Sequence, residues 1–190
     1  MALIGRLLKG RRAGGERLAW EAPNFACART LSLTSPAFAD GEPIPVAYAS
    51  KRAGGRDQSP ALAWSQVPSG TEQLLLVIED PDVPMRVPFI HCVALIEPSV
   101  TSLPDGALNA HNPAPGVRLL RSTMGRGYLG PAPIKSHGPH RYVFQLFALA
   151  KPVPLPSNAT TLESAKPRQV LAAVADVLAR GRLDGLYERP

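Results

Sequence analysis

The chain has 190 residues, 45% of them hydrophobic, and a formal net charge of +6. That length fits one domain with a substantial core, and no apolar run approaches the roughly 18 residues that would span a bilayer. Two cysteines, Cys27 and Cys92, exclude a multi-bridge disulfide framework.

The charge is uneven. Arg6, Lys9, Arg11, Arg12 and Arg17 stand against Glu16 alone, so residues 1–20 carry +4 and the rest of the chain +2. No continuous basic stripe with interleaved aromatics occurs, which argues against a nucleic-acid partner. The first residues lack the apolar core of about 7–15 residues of a secretory peptide, so a cytoplasmic location is expected. The 21 prolines are scattered between hydrophobic runs. Because Pro removes a backbone donor and fixes φ, this favours short strands and shaped loops over a helical bundle.

In chain order, residues 1–9 admit two readings. One is a short amphipathic helix with Leu3, Ile4, Leu7 and Leu8 on one side; the other is a solvated tail. Leu31 to Thr34 alternates as a strand that Ser35-Pro36 stops, and Asp40-Gly41 signals a turn. A short strand follows around Leu62 to Trp64. Leu74 to Ile78 is continuously apolar, the mark of a strand covered on both faces. Phe89 to Ile96 reads as a second central strand, residues 107–126 as an irregular excursion, and Tyr142 to Leu149 as a third central strand. Over 163–180 the period changes: Ala165, Val170, Leu171, Val174, Val177 and Leu178 form a helical stripe, predicting a helix that stops at Arg180-Gly181. Leu183 to Arg189 is expected to pack back on the body. The division is a basic extension over residues 1–30 and one β domain over 31–190.

Two polar patches adjoin these strands. Asp80-Pro81-Asp82-Val83-Pro84 precedes His91, and Gly130-Pro131-Ala132-Pro133 precedes His140-Arg141-Tyr142. A carboxylate at the end of a buried strand needs donors or a charge partner. Alternation puts His140 and Tyr142 on one face and Arg141 on the other, where an ion pair suits it. If the strand ends are neighbours, Asp80, His91, His140 and Tyr142 converge and offer donors to an oxyanion such as phosphate. The bland reading of each residue is a turn cap or a satisfied core histidine. A histidine-dependent hydrolase is the enzymatic alternative, but no Gly-x-Ser-x-Gly elbow is present. Zinc is not expected: His91, His137, His140 and Asp80 are candidate ligands, yet His137 and His140 flank Gly138-Pro139 and form no helical pair. A phosphate loop is also absent, and no cofactor is implied.

The ordered motifs Leu33 to Phe38, Ser59-Pro60-Ala61-Leu62-Ala63-Trp64, Glu79 to Pro84 with His91, Gly127 to Pro133, His140 to Phe144, and Leu183 to Arg189 resemble the phosphatidylethanolamine-binding protein family, in particular its small bacterial and archaeal branch. The resemblance implies a mainly β fold: a large central antiparallel sheet packed with a smaller one, and peripheral helices. It also implies a cavity for phosphate-like or phosphoethanolamine-like headgroups, with Asp80, His91 and His140 as its polar residues and Tyr142 beside them. Pro84, Gly130, Ala132 and Pro133 then form its walls. The same resemblance implies a regulatory role, a protein partner such as a protease or kinase that it inhibits, and a homodimer. Ala132, Ile134 and Cys92 depart from the family's usual residues, as does the segment from His111 to Met124.

Overall fold

The computed structural model describes residues 2–190. The elements in chain order are α1 (Ala2–Leu8), β1 (Leu33–Thr34), β2 (Leu62–Trp64), β3 (Gln73–Asp80), β4 (Phe89–Ile96), β5 (Ser102–Leu103), β6 (Val117–Leu119), β7 (Arg121–Ser122), β8 (Gly125–Arg126), β9 (His140–Leu149), α2 (Pro167–Ala172) and β10 (Val177–Tyr187). The main sheet has the order β10-β9-β3-β4-β6, every pair antiparallel. A smaller sheet, β1-β2-β5, packs on it, and β7-β8 is a separate hairpin.

The apolar runs become central strands because both faces are covered. On one face Leu74, Leu76, Ile78, Cys92, Tyr142, Phe144 and Leu146 meet Leu33, Leu62 and Leu103 of the smaller sheet. On the other, Leu75, Val77, Val93 and Phe147 meet Phe25 and the α2 residues Val170 and Leu171. Each such side chain contributes about 1.5–3 kcal/mol when fully buried. A strand exposed on one face would gain about half as much per residue.

The helix expected over 163–180 is corrected. Only Pro167–Ala172 is helical, and Val177–Tyr187 is the longest strand, paired along β9 from Val177–Leu149 to Tyr187–His140. Asp176, at φ 55, turns the chain between them. The strand does alternate, but its inward positions are Ala179, Gly181, Leu183 and Gly185. Glycine there allows close approach: a Cβ on Gly181 would lie 2.9 Å from the Leu31 carbonyl oxygen. Small inward residues carry no hydrophobic signal, so the period of two was masked.

The segment before β1 is fastened to the back of the main sheet. Leu18, Ala19 and Phe25 are buried, and the Phe25 and Phe147 rings lie 4.4 Å apart. The buried Glu79 accepts from the Ala19 amide at 2.7 Å and from Gln145 Nε2 at 2.9 Å, while Arg168 Nη1 stands 2.7 Å from its other oxygen. The two hydrogen bonds fall on Oε2, while Oε1 makes none and has only the Arg168 charge to offset its burial.

Helix α1 forms, and it docks by its backbone. A Cβ on Gly5 would sit 1.9 Å from the Lys135 carbonyl oxygen, so only glycine permits this approach. Leu3, Ile4 and Leu7 are 70%, 54% and 75% exposed, so the apolar stripe faces away from the body. No described helix is long and apolar enough to cross a membrane.

Candidate functional site

The ends of β3, β4 and β9 bring the four singled-out residues together. Asp80 is the last residue of β3 and His140 the first of β9, its neighbour in the sheet. Asp80 Oδ2 accepts from His140 Nδ1 at 2.7 Å, and Oδ1 accepts from the Asp82 amide at 2.8 Å. Both side chains are buried. The second carboxylate of the Asp-Pro-Asp turn serves the opposite face: Asp82 accepts from Arg141 Nε and Nη2, each at 2.9 Å, and from the Arg141 amide at 2.8 Å. Arg12 Nη1 lies 2.9 Å from the same carboxylate. Desolvation pushes the Asp82 carboxyl up, but the Arg141 hydrogen bonds and the charges of Arg141 and Arg12 outweigh it, and the net shift is downward.

His91 reaches this cluster through a β-bulge. Ile78 pairs with Cys92 and Glu79 with Ile90, leaving His91 as the extra residue. Ile90 packs in one core and Cys92 in the other. The bulge therefore lets His91 and Cys92 share a face that strict alternation would deny one of them. The His91 ring meets Tyr142 edge-on at 5.0 Å, and its Nδ1 donates to the Leu129 carbonyl at 2.7 Å. Burial pulls the His91 imidazole below its usual value. It is neutral, and Nε2 carries the lone pair. Burial holds the Tyr142 hydroxyl well above the ordinary tyrosine value, with Asp80 adding to the effect, so it stays a neutral phenol.

His137 is the residue that sequence reasoning undervalued, having weighed it only as a zinc ligand. It is fully buried. Its Nδ1 lies 2.7 Å from His140 Nε2, and its Nε2 lies 2.8 Å from the Leu8 carbonyl at the end of α1. Gly138, at φ 103, supplies the turn that brings His137 back over His140. The sequence signal was its position between two chain-bending residues close to His140, not a helical spacing. Among the described residues no group of three or more His, Cys, Asp or Glu side chains is arranged to hold a metal ion.

The expected wall residues have distinct surroundings. Gly130 is packed against backbone, where a Cβ would lie 2.5 Å from atoms of Tyr48, Ala49 and Ser50. Pro131 accepts from the Ser50 amide at 3.0 Å and Pro133 from Arg189. Ala132 and Pro84 are half-buried. Two cavities lie away from the histidines. One, of about 290 Å³, is beside Glu97 and Arg118; the other, of about 250 Å³, is beside Val87 and Lys166. Cys92, the thiol next to His91, is buried and pushed up to about 12, which makes it a poor nucleophile.

Residues 34–188 match the family model described as phosphatidylethanolamine-binding protein. The chain belongs to that family. Among phosphatidylethanolamine-binding protein relatives, a Mycobacterium tuberculosis protein named lipoprotein LppC is 36% identical over 162 residues, covering 85% of this chain and 74% of its own. A protein of Aquifex aeolicus is 34% identical, covering 84% and 89%. Among solved structures, Escherichia coli YbcL, a member of the mammalian PEBP family, superposes with a TM-score of 0.71 at 28% identity, covering 84% of this chain and 99% of YbcL. The Chlamydia trachomatis homologue CT736 gives 0.70 at 30% identity, covering 86% and 100%. The mainly β fold expected of the family is the one observed. The expected cytoplasmic location is overturned: Mycobacterium tuberculosis relatives this similar carry lipoprotein in their names, which implies membrane anchoring of those proteins.

Proposed function

We propose that this protein binds a small phosphate-bearing anion, inorganic phosphate or a phosphoethanolamine-type headgroup, at His91, His140 and Asp80, and acts as a binding or regulatory protein. The observation that carries this reading is the buried Asp80–His140 pair, 2.7 Å apart, with a bulge turning His91 onto the same face. Asp80 fixes the His140 ring through Nδ1, so an anion would meet Nε2 in place of His137. Tyr142 offers a neutral hydroxyl, and Pro84, Gly130, Ala132 and Pro133 shape the surround.

Membership of the family supports the ligand class. The proton inventory refines it. Nδ1 of each imidazole is already committed, to Leu129 in His91 and to Asp80 in His140. Donation to an anionic oxygen through Nε2 therefore requires a proton to be taken up, unless the ligand brings its own P–OH.

Calorimetric titration of phosphate and phosphoethanolamine, in buffers of different ionisation enthalpy, tests this. Saturable binding is expected, with any net proton exchange read from the buffer dependence of the heat. His91→Ala should weaken binding about tenfold or more, the loss of one charge-assisted hydrogen bond, and His140→Ala likewise. Unchanged affinity in both variants refutes the assignment.

A further inference from the structure

The four groups Asp80, His140, His137 and Leu8 are joined by three short contacts, of 2.7, 2.7 and 2.8 Å. Each contact needs one proton. The two ends, a carboxylate and a carbonyl, only accept, and two neutral imidazoles bring one N–H each. The closed chain therefore holds one proton more than a carboxylate and two neutral rings supply. It resides either on an imidazole or on Asp80. Without it, one of the three contacts places two lone pairs face to face.

We infer that this additional proton is a latch. While it is bound, His137 ties the end of α1 over His140 and the site is shut; when it leaves to solvent, the Leu8 contact breaks first and the site opens. The inference rests on the anion-site reading for what the latch covers, and on geometry alone for the latch itself. His140 Nε2, the nitrogen that would meet the anion, is the atom His137 occupies. An anion and the α1–His137 assembly therefore compete.

The Leu8 contact is the weak one. Asp80 and His140 are fixed at the ends of paired strands, and both are buried. Helix α1 leaves Leu3, Ile4 and Leu7 in solvent and meets the body at Gly5 and the Leu8 carbonyl. That carbonyl, which also accepts from the Arg11 amide at 2.8 Å, lies at the negative end of a helix, which suits a cationic donor.

The charged groups on the neighbouring elements are mostly cationic. The arm carries Arg6, Lys9, Arg11 and Arg12; the loop carries Lys135; β9 carries Arg141; and Arg189 follows β10. Against them stands Asp80. Asp82 is committed to Arg141 and Arg12, and the nearby His91 is neutral.

The test uses the full chain without added anion. Imidazole nitrogen resonances give the protonation of His137 and His140, and amide exchange, corrected for its intrinsic rate, gives the protection of residues 2–9. One linked proton changes the closed-to-open ratio by up to about tenfold per pH unit. Protection is expected to fall between pH 5 and pH 9 together with the imidazole transition, and to lose that dependence in His137→Gln. Protection that is flat across this range, or equally pH-dependent in His137→Gln, overturns the latch. Gly5→Ala, whose Cβ would lie 1.9 Å from the Lys135 carbonyl oxygen and 3.0 Å from the His137 backbone nitrogen, unseats α1 while leaving both imidazole side chains in the chain, so the inference survives a misfolded His137 variant. It should raise phosphate affinity about tenfold or more at pH 6, the factor that a mostly closed population withholds. An unseated helix with unchanged affinity refutes the competition. Absence of phosphate binding in both proteins refutes the anion site instead, and the resonance and exchange data still decide the latch.

Discussion

Replacing Asp82 with alanine removes the brace between the two faces of β9. The buried carboxylate accepts three hydrogen bonds from Arg141, at 2.8 to 2.9 Å, and lies 2.9 Å from Arg12. Breaking a fully buried ion pair costs about 3–5 kcal/mol. Here the arginine side chains are 41% and 35% exposed and rehydrate when released, which lowers the figure. The expected loss is about 2–3 kcal/mol, or a Tm drop on the order of 4–12 °C for a chain of this size. The folded-state shift of Asp82 is downward, so its stabilisation is in force above the unfolded carboxyl value near ~3.9 and is lost as pH falls through the lower folded value. Denaturation followed by circular dichroism at pH 7, 5 and 3.5 should show the gap between parent and Asp82→Ala narrowing at the acid end. A gap under about 0.5 kcal/mol at pH 7, or one that acid leaves unchanged, refutes the reasoning.

Two further outcomes are expected. Gly130→Ala should destabilise more than Gly185→Ala, because the new Cβ meets backbone at 2.5 Å in the first case and the ends of the Ile44 and Phe38 side chains, at 2.5 to 2.8 Å, in the second. Overpacking that side chains relieve costs about 1–3 kcal/mol, and denaturant midpoints rank the pair. Cys27, half-buried, should react with a maleimide in the folded protein while Cys92 stays protected until unfolding, as mass spectrometry of labelled peptides will show.

The central strands were legible because runs such as Leu74 to Ile78 have only one economical burial, inside a sheet covered on both faces. The convergence of Asp80, His140 and Tyr142 followed from strand adjacency plus the period of two. Three features lay outside those rules. Gly181 and Gly185 erased the alternation of β10, and the apolar residues before it imitated a helix. The bulge at His91 depends on the register between two strands, a property of the pair and not of either segment. Phe25 and Leu18 enter the core from short turns that have no period to detect. Asp82 was readable as a turn residue, yet its service to Arg141 needed the fold.

Helix α1 sits on a very short leash. Arg12 is held by Asp82 and by the Pro139 carbonyl, and only Lys9, Gly10 and Arg11 separate it from Leu8. A group confined so near its docking point returns to it at an effective concentration in the millimolar range. Any soluble molecule seeking the same ground must outcompete that local abundance, so sensitivity can be retuned by changing the leash while every side chain of the binding ground stays as it is.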